Sequence, residues 1–408
     1  MNIDFKELKS MVNESVEINF DMFKAISDFI FNHPELGGEE YESSLFLGEK
    51  LKEYGFEVSF PYEELKTAFI AEYGVEDAKT TIGFIAEYDA IPGFGKDGGP
   101  GHACGHNWIA ATMCGCAIVM SQIAKTLNCR IKVIGTPAEE TFGAKFDLIR
   151  LGAFDDVDFA FQAHLDEFTS IETLSLAMNS IEFNFKGLAA HAAQNPEKGI
   201  NALDAVIMMF NGVNAIREHV KQESRIHGII TYGGEVTNIV PDFAQCKFSI
   251  RAKEKAYLNE LREKLINIAE GAALCTGATL EYHDYENPFD DMINVPEFAN
   301  LCKRHFAEFG ITDFIPEDKY PGSGSSDIGN VSYVCPTVYL EIAIDGDKPV
   351  IVHDESAMFL VNSSKAYELM NTVIKSYVYS AIELVIDDEL RSKIKRQHEM
   401  VCKQRLEI

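Results

Sequence analysis

The 408-residue chain contains no H-E-x-x-H, which excludes the arrangement in which one helix carries two zinc-binding histidines and a base. It has no G-x-S-x-G; "GSGSSDIG" comes near but lacks the spacing of a nucleophile elbow. No P-C-x-x-C is present, so the zinc deaminase pattern fails, and no phosphate-binding loop with its lysine occurs. The nine cysteines are odd in number and scattered, with no C-x-x-C pair. That fits reduced thiols in a cytoplasm better than a disulfide framework. Cys114 and Cys116 fall on a predicted helix and read as small core residues. Basic residues are scarce: 36 Lys and Arg against 64 Asp and Glu, a net charge of −28. That balance argues against nucleic acid and anionic membrane surfaces as partners. No apolar run reaches the ~18 residues of a spanning helix. The start, "MNIDFKELKSM", lacks a basic segment leading into an apolar one, so no signal peptide and a cytoplasmic location are expected.

What is present is an ordinary globular composition, 46% apolar and 25% charged, at a length that suits two domains or one domain with an insertion. A core of that size needs no metal staple. The first ~60 residues read as two helices, the second running through "YESSLFLGEKLKEYGF" with Gly55 as its stop. Then "TTIGFIAEYDA", "CRIKVIGTPAEE" and "DVDFAFQAHLD" are short apolar runs that each end in acidic or imidazole residues. Such runs alternating with helices predict a mostly parallel sheet with helices on both faces, whose ligands bind beyond the carboxyl ends of the strands.

From about residue 179 the pattern becomes "SIEFNFKG" (strand), "NALDAVIMMFNGVNAIREHV" (helix), "RIHGIITYGGEVTNIV" and "QCKFSIRA" (two strands about a turn at Pro241–Asp242), a helix over "YLNELREKLINIAEGAALC" and the strand "ATLEYHDYEN". This βαββαβ order predicts an inserted ferredoxin-like domain over 179–290, between catalytic parts at 1–178 and 291–408. Alternation resumes with "SYVCPTVYLEI" and "KPVIVHDES", and "DDELRSKIKRQHEMVCKQRLEI" reads as a charged helix.

The segment "GPGHACGHNW" (99–108) puts Cys104 and His106 one residue apart in a glycine-softened loop entering a helix. Glu139 and Glu140 follow the strand "RIKVIGTP", His164 ends "VDFAFQA", and His353 follows "PVIV". Each alone has an ordinary reading as a surface or core residue. Together, a thiol, three imidazoles and carboxylates at strand ends form a borderline-soft donor set suited to zinc. The adjacent glutamates can diverge, one toward a metal and one toward the water it acidifies, the two functions that metal-assisted hydrolysis requires.

The motifs "EYDAIPG", "GHACGHN", "PAEE", "QAH", "AHAAQNPEKGINALDA", "NIVPD" and "GSSDIGN", in this order, resemble the peptidase M20 metallo-amidohydrolases, in the branch of aminobenzoyl-glutamate hydrolases and aminoacylase-like dipeptidases. The resemblance extends from "HPELG" to "VHDES". It implies a di-zinc peptidase-like catalytic domain with an inserted lid and dimerisation domain, acting as a homodimer. It implies two divalent ions, zinc first, with manganese or cobalt as alternatives. Cys104 would bridge them, and His106, Glu140, His164 and His353 would complete the ligands. Glu139 would be the general base and acid, Asp89 an orienting partner, and His191 the donor to the tetrahedral oxyanion. Asn238, Arg251, Gly324 and Ser325 would hold substrate, the last two in the loop from Gly322 to Asn330. The chain departs from the family in reading Glu87-Tyr88-Asp89 where many members have His-x-Asp, and Asn107 where this branch often has an acid.

The function expected is hydrolysis of an amide in an N-acyl amino acid, an aminobenzoyl-glutamate-like conjugate or a dipeptide. A catalytically inactive ligand-binding or regulatory protein on the same fold is the alternative. A protein active only together with a different partner chain is a third reading.

Overall fold

The structure, a computed structural model, describes residues 4–320, 324–344 and 352–406. Residues 321–323 and 345–351, the latter including most of "KPVIV", lie outside the described residues. The chain divides into two compact units. The first holds the described residues of 4–174, 292–320 and 327–403; the second holds 175–291, 324–326 and 404–406.

The first unit opens with α1 (Phe5–Asn32) and α2 (Tyr41–Glu53), then β1 (Glu57–Ser59), β2 (Phe69–Gly74), β3 (Thr81–Ala86) and a small hairpin of β4 (Ile91–Pro92) and β5 (Pro100–Gly101). It continues with α3 (His106–Leu127), β6 (Arg130–Gly135), α4 (Ala144–Arg150) and β7 (Phe159–Asp166). The second unit contributes β8 (Ala177–Lys186), α5 (Ala202–Ile216), β9 (Arg225–Tyr232), β10 (Phe243–Ala252), α6 (Lys255–Thr276) and β11 (Thr279–Asp284). The chain then returns through α7 (Pro296–Ala307), α8 (Ile328–Val334), β12 (Thr337–Ala343), α9 (Glu355–Leu360), α10 (Ser364–Ile386) and α11 (Asp388–Leu406).

The first unit's sheet has the order β1-β2-β6-β3-β7-β12. The four strands from β6 to β12 run parallel, and β1 and β2 add an antiparallel edge. Period-two burial sorts the side chains to two faces. Ile82, Phe84, Phe161 and Leu340 meet α1, α3, α7 and α10, whereas Ile85, Ile134 and Ala160 meet Leu148 of α4 and Val331 of α8. Helices thus cover both faces, and the loops after the parallel strands β3, β6 and β7 gather at one edge.

Among the described residues two helices, α3 and α10, are long and apolar enough to cross a membrane by length and composition. Neither is an uninterrupted apolar run in the sequence. In α3 every residue from 106 to 121 is buried, because the helix packs against α1, α10 and the sheet at once. A helix enclosed on all sides is apolar all round.

The second unit's sheet is antiparallel, order β11-β8-β10-β9, with α5 and α6 over one face. One sequence expectation is corrected here. The strand read over "RIHGIITYGGEVTNIV" stops at Tyr232, and Asn238 lies in a turn rather than on a strand beside Arg251. The cause is Gly233–Gly234: Gly234 has φ +104°, a conformation that breaks pleated pairing. All nine cysteines are free.

Candidate metal centre and active site

Local sequence explains how Cys104 and His106 come to share a point. Gly105 adopts φ +82° at the N-terminal cap of α3, so the chain turns sharply between the two ligands. Position 105 tolerates no ordinary side chain there without strain. Cys104 Sγ lies 3.2 Å from His164 Nε2 and 3.3 Å from His353 Nε2. His353 Nε2 lies 3.1 Å from Glu140 Oε1, and His106 Nε2 lies 3.7 Å from the same oxygen. His164 sits within β7 rather than at its last residue, two positions before the strand ends.

The imidazoles are aimed. His106 Nδ1 donates to Asp89 Oδ1 at 2.7 Å, and His164 Nδ1 donates to the Leu165 carbonyl at 2.6 Å. Both rings therefore present Nε2 to the cluster, as ligating histidines do. The other Asp89 oxygen accepts the Glu140 backbone N–H at 2.9 Å, so one buried carboxylate orients two members of the set.

The turn carrying the glutamates is held from below. Ala138 adopts φ +61°, which for a residue with Cβ costs roughly 1–2 kcal/mol. Its N–H is captured by Glu40 Oε1 at 2.8 Å, while Thr67 donates to the other Glu40 oxygen. A Cβ at Gly37 would stand 2.4 Å from Thr141 Oγ1 and 3.0 Å from Ala138 Cα, so "HPELGGEE" packs directly on this turn. His353 is likewise left-handed, φ +65°, and its N–H donates to the Ala103 carbonyl. Backbone strain beside Glu139 and at His353 persists where the surroundings over-determine it.

The electrostatics call for positive charge. Glu87, Asp89, Glu139, Glu140, Asp327 and the Cys104 thiol crowd together; among the described residues Lys145 is the ammonium paired with them. Burial, then the charges of Glu140, Glu87 and Asp327, push Glu139 well above the usual carboxylate range. Burial works against ionisation of Glu140 too, but the His353 hydrogen bond and the His106 and His353 charges prevail and hold it at about 2. Burial, with Glu140 and Glu139 beside it, raises the Cys104 thiol. A buried excess of acidic donors is what a cation relieves. Three groups built from the sequence candidates have ligand atoms within 4.8 Å of one another: Cys104, His106 and His164; Cys104, Glu140 and His353; His106, Glu139 and Glu140. Cys104 belongs to two of them, and the soft-plus-imidazole-plus-carboxylate chemistry fits a divalent transition metal.

Asn107 turns away. Its amide donates to Ser27 at 2.8 Å and Asn362 at 3.2 Å, so the missing acid of the motif is a packing matter on the α1 side of α3, not a change at the ligands. Glu87 has one oxygen 2.5 Å from the Lys145 ammonium and the other 3.7 Å from His106 Nε2.

The remaining sequence candidates lie in the second unit. His191 is exposed, and its Nδ1 accepts the Ala193 and Gln194 N–H groups at 3.2 Å each, which leaves the ring proton on Nε2. Its loop is tied to that of Asn238 by the Ala192 N–H donating to the Asn238 carbonyl at 3.0 Å. Arg251 Nη1 donates to Ser325 Oγ at 2.7 Å, and the Gly324 carbonyl accepts the Leu176 N–H. Of the loop 322–330, Gly322 and Ser323 lie outside the described residues.

Sequence reasoning missed Lys145, Asp327, Glu40, Tyr339 and Glu341. The Tyr339 ring lies 6.3 Å from that of His164, and its hydroxyl feels Glu341, Glu87, Glu139 and Cys104 in addition to burial. Glu341 pairs in register with His164 and accepts from the Tyr320 hydroxyl; burial, with Asp166 nearby, raises it to about 8. Only Asp327, inside "GSSDIGN", had a sequence signal.

A parallel sheet bearing clustered thiol, imidazole and carboxylate ligands at its carboxyl edge defines a metallohydrolase-type centre. Comparison with known proteins agrees. Residues 83–376 match "Peptidase family M20/M25/M40", and the chain belongs to that family. It is 31% identical to the Xaa-Arg dipeptidase of Mus musculus over 97% of this chain and 93% of that protein. It is 33% identical to one of the p-aminobenzoyl-glutamate hydrolase subunits of Escherichia coli (strain K12), over 77% and 68%. In fold it is similar to a Bacillus subtilis protein described as a dinuclear metal-binding peptidase from the M20 family, with TM-score 0.66, 19% identity, and 91% and 99% coverage. The chain is a metal-dependent amidohydrolase, an enzyme that hydrolyses amide bonds.

Proposed function

We propose that Cys104, His106, Glu140, His164 and His353 would hold two divalent metal ions, Cys104 being placed to serve both ligand groups, and that Glu139 is the general base. The observation that carries this reading is the position of Cys104 Sγ, 3.2 Å and 3.3 Å from two imidazole nitrogens, with Glu140 against one of these. The thiolate favours zinc, with manganese and cobalt as alternatives. When bound, such ions polarise an amide carbonyl and acidify a water. Glu139, free of the Cys104 groups, takes the proton of the attacking water and returns it to the leaving amine. Asp89 keeps His106 and the Glu140 backbone in place. His191 offers Nε2–H to the oxygen that becomes negative in the tetrahedral stage. Arg251 spends one N–H on Ser325 and keeps others of its fork for a substrate carboxylate, with Asn238 as a second donor. Among the described residues nothing lies within 4 Å of where a Cβ on Gly324 would stand, which leaves its backbone open to ligand.

The names of the relatives describe amides whose nitrogen belongs to an amino acid. The substrate class read for this chain is accordingly an N-acyl amino acid, an aminobenzoyl-glutamate-like conjugate or a dipeptide. The test is a panel of these compounds, followed by release of primary amine from zinc-loaded protein. Turnover of at least one member, abolished by chelator and restored by zinc, is expected. Ligand binding with no amine released in any metal state would favour the inactive binding protein instead.

We read the second unit as the homodimer surface. Its edge strand β9 exposes Ile229 and Ile230 (63% and 46%), and α5 exposes Ile207 and Met208, an apolar surface beside a strand edge that is unpaired among the described residues. Sedimentation equilibrium should give a dimer for the parent and a monomer for Ile229→Lys; a parent that sediments only as monomer would sink this reading.

A further inference from the structure

Next to Glu139 lies a buried ammonium that the reaction does not use. Lys145, the second residue of α4, is 0% exposed. Its Nζ donates to Glu87 Oε1 at 2.5 Å and to Asp327 Oδ1, and its backbone N–H donates to Asp327 Oδ2 at 3.0 Å. Glu87 follows β3 and Asp327 precedes α8, so three separate segments converge on one charge. Glu87, Asp327 and Glu139 have oxygens within 4.8 Å of one another, which by donor type is an oxygen-rich cation position. The ammonium already pairs with two of the three carboxylates.

We propose that Lys145 is a positioning residue: an internal cation that fills this carboxylate-lined position and so keeps Glu139 from being captured as a metal ligand. Glu139 belongs geometrically to two sets, one with His106 and Glu140 and one with Glu87 and Asp327. An ion in the second set would draw Glu139 onto itself and take away its proton-accepting oxygen. A lysine tethered to α4 supplies positive charge there without an open coordination position. Its flexible stem ends in a compact point charge, which suits a three-carboxylate cage better than the planar fork of arginine. The proposal rests on Glu139 being the base.

The test uses full-length Lys145→Met, loaded with Zn²⁺, dialysed, and analysed for metal per chain beside steady-state kinetics. The expected result is about one more zinc per chain than the parent, with kcat down at least about 50-fold and KM within about threefold. An unchanged or reduced metal count in a folded Lys145→Met overturns the proposal, as does a kcat within about threefold of the parent. If Lys145→Met does not fold, Asp327→Asn removes one anchor of the ammonium while keeping its shape. That variant should lose at least about tenfold in kcat at unchanged KM and metal content, and a kcat within about threefold of the parent overturns the proposal. Should the parent release no amine from any substrate, the base reading fails, and the zinc count of Lys145→Met still decides the role of Lys145.

Discussion

Glu139→Gln is expected to keep the parent's metal content and to lower kcat by about 10³-fold, within the range typical for removing a general base. The amide fits the same space beside His106 and Glu140 but cannot take a proton. Burial and the charges of Glu140, Glu87 and Asp327 raise the Glu139 carboxyl, which favours its holding a proton. Metal per chain and amine release, measured on the same preparation, check the split. Full activity in the variant would remove Glu139 from the reaction, whereas loss of metal would place it among the ligands.

The second large effect belongs to the thiol. Cys104→Ala, alone or with His106→Ala, is expected to lower metal content from about two ions per chain to less than one and to abolish turnover. Cys104 stands in both the His106–His164 group and the Glu140–His353 group, so its loss damages two ligand sets at once. Burial and the neighbouring glutamates raise the thiol, which gives up its proton only when a cation replaces it. Metal uptake by the chelated parent should therefore release about one more proton per chain than uptake by Cys104→Ala, read with a pH indicator. Equal metal content in parent and variant would defeat the shared-ligand reading.

The residues differ in how openly the sequence advertised them. Apolar runs ending in "EYD", "PAEE" and "QAHLD" betrayed the sheet and its ligand-bearing edge, because parallel strands bury both faces and leave polar residues only at their ends. The approach of Cys104, His106, Glu140, His164 and His353 was legible as a shared donor chemistry. Lys145 was not: in "AKFDLIR" a lysine on a short helix reads as a solvated side chain, and only the arrival of Glu87 and Asp327 from distant segments makes it a buried charge. Asn107 misled for the opposite reason. It neighbours His106 in sequence, yet successive residues on a helix point about 100° apart, and it packs against Ser27. Asn238 was drawn into a strand because "RIHGIITY" is strongly β-forming, and pattern alone did not reveal that Gly233–Gly234 ends it. Glu40 lay far from every motif read as chemical, although it clamps the N–H of Ala138.

The ligand set also has an order in time. Cys104 and His353 meet across 249 positions of sequence. At the ~5–20 residues per second of synthesis, roughly 12 to 50 s separate their emergence from a ribosome. Within that interval 175–291, continuous in sequence and with its own core, can fold as a unit. The nascent chain thus carries Cys104, His106, Glu140 and His164 as an incomplete, thiol-bearing set until the last strand and His353 arrive. A chain stalled before residue 353 would leave Cys104 without its His353 neighbour, and its thiol more open to oxidants than in the finished fold, where it is buried.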